Sequence, residues 1–180
     1  MRIYRYLSCA FIISLIFITG CDQERPSQPE PAQVTEIYSH DGLNLTYPKH
    51  WQLEYDESPD IYASRAVGFQ ISEFSTARIL LEQSQTLKLK PLVNRLENEL
   101  QLTSSEFITD YERQSIQIAG FEGEQLSWTD NFVGTAEFEV TVIDVSDSPI
   151  SIIAVFNLSD EDIAKESQHI EPLLKNISFK

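Results

Sequence analysis

Cysteine, glycine and cations are all scarce in this chain. Its 180 residues include two Cys, six Gly, eight Pro and three His, and 13 Lys+Arg stand against 28 Asp+Glu, a formal charge of −15. Each scarcity excludes something. So little Gly and Pro, with 42% hydrophobic and 11% aromatic residues, is incompatible with a collagen-like or disordered chain. So few cations leave no basic patch for a phosphate backbone, which excludes nucleic acid as a partner. No Gly-rich phosphate loop, Gly-x-Ser-x-Gly elbow or EF-hand spacing occurs, so the expected catalytic residues, cofactors and metal ligands are none. The longest apolar run, residues 7–18 (LSCAFIISLIFI), falls short of the roughly 20 residues of a membrane-crossing helix.

That run has the length of a signal-peptide core, and Arg2 and Arg5 supply the positive region before it. Ile18-Thr19-Gly20-Cys21 follows at once and resembles the bacterial lipobox: an aliphatic residue, two small ones, then the Cys that takes the lipid. The thiol is the right nucleophile for a diacylglyceryl group. The expectation is cleavage after Gly20 and a lipidated Cys21, which leaves residues 1–20 as a signal peptide. A plain secretory peptide or an uncleaved anchor would leave unexplained why a Cys ends the run. Because Cys9 lies in the removed segment, the expected mature chain has no disulfide, and its fold rests on its core.

Residues 21–33 then read as a tether. The stretch DQERPSQPEPAQ contains Pro26, Pro29 and Pro31 and nothing aliphatic larger than Ala, so it stays extended. Asp22, directly after the Cys, resembles the sorting signal that keeps Gram-negative lipoproteins in the inner membrane. The expected location is therefore the cell envelope, lipid-anchored to the inner membrane and facing the periplasm.

Residues 34–180 read as one globular domain, large enough to hold a core without staples. Residues 34–39 and the alternating Leu43, Leu45 and Tyr47 form a hairpin about His40-Asp41-Gly42. Trp51 to Tyr55 alternates again, Asp56 to Arg65 reads as an irregular acidic loop, and 67–74 and 77–82 read as strands. A helix is expected from Pro91, with Leu92, Val93, Leu96 and Leu100 on one side. Residues 107–117, 121–128, 135–145 and 150–157 read as an antiparallel meander, since the intervening turns are too short for parallel crossovers. Apolar residues on both faces of the last strand imply a sheet covered twice. A final helix, capped by Ser159 and carrying Ile163, Ile170, Leu174 and Ile177 as its buried stripe, is expected to be interrupted at Pro172.

The histidines, His40, His50 and His169, share no ligand spacing along the chain and read as isolated. Trp51 and Trp128 read as core aromatics at strand ends. The acidic clusters at 56–60 and 144–147 read as solvated turns.

Taken together, GLNLTYPKHW (Gly42 to Trp51), IAGFEGEQLSW (Ile118 to Trp128), the mid-chain helix and a closing helix ending in ISF resemble the PsbP-like (DcrB-like) domain family. The resemblance implies an α+β fold, an antiparallel β-sheet sandwiched by helices. It also implies a non-enzymatic accessory or assembly factor that works through contact with another envelope protein. The alternative is a periplasmic small-ligand or cation-binding module. Acidic groups converging in a pocket would favour the second, and an exposed apolar patch the first.

Overall fold

The computed structural model describes residues 34–57, 62–82, 87–132, 134–145 and 150–180. Gly20, Cys21, Asp22, the tether and the 147–149 turn lie outside the described residues. Among the described residues, ten strands and two helices follow in the order β1 (Thr35–His40), β2 (Leu43–Pro48), β3 (Gln52–Glu57), β4 (Arg65–Gln70), β5 (Thr76–Glu82), α1 (Leu89–Glu99), β6 (Ile108–Ile118), β7 (Phe121–Asp130), β8 (Ala136–Asp144), β9 (Ser151–Ser159), α2 (Asp160–Asn176) and β10 (Ser178–Phe179). Strands β3-β4-β5-β9-β8-β7-β6 make a seven-stranded sheet, and β1-β2-β10 a small one. Every pairing is antiparallel.

The central strand β9 explains the layering. Ile152, Ala154, Phe156 and Leu158 point to one face, where they meet Ile170, Leu173 and Leu174 of α2 and the buried side of β2. Ile153 and Val155 point to the other, where Leu92, Val93 and Leu96 of α1 cover them. A strand buried on both faces reads as continuous apolar sequence, as SIIAVFNLS does. The fold is thus the expected α+β sandwich, with one helix on each face of an antiparallel sheet.

The small sheet closes the chain on itself. Asp41 and Gly42 turn the β1-β2 hairpin with positive φ (41° and 82°), and a Cβ on Gly42 would stand 2.6 Å from the carbonyl oxygen of Lys180. Only glycine permits both the turn and that approach. Lys180 N–H donates to the Gly42 carbonyl at 2.9 Å, so the last residues are pinned beside β2.

Four local expectations need correction. The strand expected over 67–74 ends at Gln70, because the N–H groups of Ile71 and Ser72 turn back to the Ser75 carbonyl. The first helix starts at Leu89, which makes Pro91 its third residue; the first-turn N–H groups have no helical acceptor, so proline costs nothing there. Asp56, Glu57 and Arg65 belong to β3 and β4 rather than to a loop. Helix α2 runs unbroken through Pro172, which lies exposed near its C-terminal end, where tertiary burial of Ile170, Leu173 and Leu174 outweighs one missing hydrogen bond.

Candidate functional site

Helix α2 carries a second stripe beside its apolar one. Asp162, Glu166, His169 and Leu173 recur at helical spacing, and all four are buried. Polar side chains this far inside must find partners. Asp162 finds hydroxyls: Ser72 and Ser75 donate to its Oδ2 at 2.5 and 2.6 Å, and Ser159 at 3.2 Å. Burial pushes this carboxyl up, yet the three hydroxyls together hold it below its ordinary value. The Ser159 hydroxyl therefore serves Asp162, and no side-chain bond from it caps the helix.

Glu166 finds the turn before β3. Trp51 is drawn into the core against Phe69 and Phe156, with ring centroids 6.3 and 6.4 Å away, and its indole Nε1–H donates to Glu166 Oε2 at 2.7 Å. His50, the residue before it, sets Nε2 3.1 and 3.0 Å from the two carboxylate oxygens. His169 lies one turn along α2 from Glu166, its Nε2 3.9 Å from Oε2, and its ring centroid is 5.4 Å from that of His50. Burial pushes the His169 imidazole below its ordinary value, with Glu166 opposing and His50 reinforcing the shift. His50 and His169 are therefore not isolated. The fold joins them across a separation no local spacing can signal, although the 162/166/169/173 periodicity on α2 is visible in the sequence. Trp51 and Trp128 are both buried core aromatics, as expected.

His40 sits in a different network. Arg65 grips Asp56 with two bonds of 2.8 Å, His40 Nδ1 lies 2.8 Å from the same carboxylate, and the Tyr38 hydroxyl donates to it. The Arg65 guanidinium, against the opposing effect of burial, holds the Asp56 carboxyl well below the usual carboxylate range. Burial and the bond to Asp56 push the Tyr38 hydroxyl up to about 12. Asp56 thus ties β1, β3 and β4 together and is not part of a solvated turn.

An aromatic strip occupies the end of the sheet near the start of α2. Phe74 and Phe132 are 63% and 69% exposed, and both border depressions that share Thr135, Ala136 and Phe138 as a floor. Phe107, 40% exposed, packs edge-on to Phe132 with ring centroids 5.0 Å apart. Acids surround the strip: Glu73, Asp160 and Glu161 line the larger depression, of about 460 Å³, and Asp130 the smaller. Among the described residues, no Lys or Arg lines either one.

No family model and no curated protein matches the chain. Among solved structures, it is similar to cyanobacterial PsbP from Synechocystis, at 11% identity over 86% of this chain and 99% of that one, with TM-score 0.46. It is also similar to the Saccharomyces cerevisiae Ran-binding protein Mog1p, at 12% identity over 82% and 96% with TM-score 0.46. A third, LpqN of Mycobacterium tuberculosis, described as involved in cell envelope biogenesis, matches at 10% identity over 82% and 90% with TM-score 0.38. Among the described residues no helix is long and apolar enough to cross a membrane.

Proposed function

We propose that this chain is a lipid-anchored envelope protein whose PsbP-like domain acts without catalysis, by docking onto another envelope protein. The observation that carries the reading is the exposed strip of Phe74, Phe132 and Phe107 in an acidic surround. Exposed aromatics gathered at one place are costly to solubility and mark contact surfaces. The rim of Glu73, Asp130, Asp160 and Glu161 selects the occupant: a protein segment with an aromatic or aliphatic anchor flanked by lysine or arginine. Lipidation of Cys21 and retention through Asp22 would hold the domain at the inner membrane, with residues 21–33 as the tether that lets it reach a neighbour.

The test combines folding with activity. Phe74→Ser together with Phe132→Ser removes exposed rings only, so the melting temperature should stay within about 2–4 °C of the parent. The same double variant should fail to complement a deletion strain. Full complementation by a folded double variant overturns the reading.

A further inference from the structure

We infer that His50, Glu166 and His169 form a binding site for one divalent transition-metal ion, zinc foremost. None of the three residues belongs to the aromatic strip. The three side chains offer two imidazole nitrogens and a carboxylate oxygen, and these ligand atoms lie within 4.8 Å of one another. Around a tetrahedral zinc with bonds of about 2.0–2.2 Å, neighbouring ligand atoms stand roughly 3.3 Å apart. The 3.0 Å from His50 Nε2 to Glu166 Oε2 already meets that spacing, and the 3.9 Å from His169 Nε2 is within a side-chain adjustment of it. His50 provides the freedom, since its side chain is 51% exposed, while those of Glu166 and His169 are 9% and 10% exposed and fixed on one helix face.

Ligand chemistry narrows the ion. Imidazoles with one carboxylate suit zinc and its borderline neighbours, whereas magnesium and calcium need more oxygens than this site offers. The indole bond from Trp51 supplies the outer support that carboxylate ligands require: it pins Oε2, while His50 Nε2 stands at both carboxylate oxygens and His169 Nε2 at Oε2. Three protein ligands with one exposed histidine leave a fourth position open to water or to a donor from a partner. The ion would also clamp the turn between β2 and β3 onto α2, adding a cross-link between the small sheet and the helical layer.

Zinc titration of the full chain in detergent micelles, in a Cys9→Ser, Cys21→Ser background so that no thiolate competes, provides the test. Competition against a chromogenic chelator reads affinity and stoichiometry, and melts in zinc-free buffer confirm folding. One equivalent of zinc should bind. Glu166→Gln and His169→Ala should weaken binding at least tenfold, Trp51→Phe about 10–100-fold as an outer-layer positioning change, and His40→Ala not at all. Should a buried variant fail to fold, His50→Ala, at an exposed position, reads the same loss. Absence of stoichiometric binding at micromolar zinc, or equal binding by parent and His50→Ala, overturns the inference.

Discussion

Replacing Asp162 should expose how a buried carboxylate secures the start of helix α2. Its Oδ2 accepts from Ser72, Ser75 and Ser159, and Ser75 is fully buried, with its Oγ also accepting from the Ser159 N–H at 3.0 Å. Hydrogen bonds to a charged group contribute roughly 1.5–3 kcal/mol each, and a negative charge in the first turn of a helix roughly 0.3–1 kcal/mol. Ser72 and Ser159 lie where water can replace the lost acceptor, whereas the buried Ser75 hydroxyl would keep only its longer 3.3 Å contact with Ser159 Oγ. Asp162→Ala should therefore cost about 3–4 kcal/mol, a large part of the roughly 5–15 kcal/mol that holds a domain together. Asp162→Asn keeps an acceptor oxygen and should cost about half as much. At roughly 2–4 °C per kcal/mol, the alanine variant should melt about 10 °C lower.

The effect of pH has a definite sign. The folded-state pKa of Asp162 lies below its unfolded value, so the stabilisation is fully present above the unfolded carboxylate pKa of about 3.9. It is lost as pH falls through the folded value. The gap between parent and Asp162→Ala should be widest at neutral pH and should shrink in acid. Thermal melts by circular dichroism from pH 7 down to about pH 3 measure it. A loss under about 1 kcal/mol at pH 7, or a gap that stays constant into acid, refutes the reasoning.

Arg65→Lys should cost about 1–2 kcal/mol, because an ammonium cannot replace the two-bond grip on Asp56; urea unfolding at pH 7 checks this, and since the folded Asp56 pKa is depressed the difference should fade below about pH 4. Phe156→Ala empties a fully buried site beside Trp51 and should lower stability by about 3–5 kcal/mol, read as a shift of the urea midpoint. Cys21→Ser should block processing and free the chain from the firmly held membrane fraction, where acyl chains contributing about 0.8 kcal/mol per buried CH₂ would otherwise keep it; gel mobility and fractionation decide it. Asp22→Ser should move a measurable fraction to the outer membrane in a host that has one, as density fractionation reports.

Local pattern carried much of the architecture. Alternation in Leu43, Leu45 and Tyr47 placed β2, and the doubly apolar β9 announced a sheet covered on both sides. Both signals are local, so they survive without knowledge of the partner strands. What local pattern could not convey was long-range pairing. The two-residue β10 has no periodicity of its own and exists only because Gly42 leaves room for the chain end. Phe74 belongs by composition to an apolar strand, yet the bend at Ser72 turns it outward into the aromatic strip. His50 and Glu166 stand 116 positions apart, and only the packing of Trp51 under α2 brings them together. Pro172 shows the converse, a strong local breaker overridden by burial of its neighbours.

The central claim is that the aromatic strip meets another protein. A photo-crosslinking residue at position 132, in the full chain expressed in intact cells, tests it most directly, with position 98 on the exposed side of α1 as the control. The account predicts a discrete protein adduct from position 132, lost when Phe74→Ser is added, and none from position 98. No adduct from 132, or equal adducts from both positions, would contradict it.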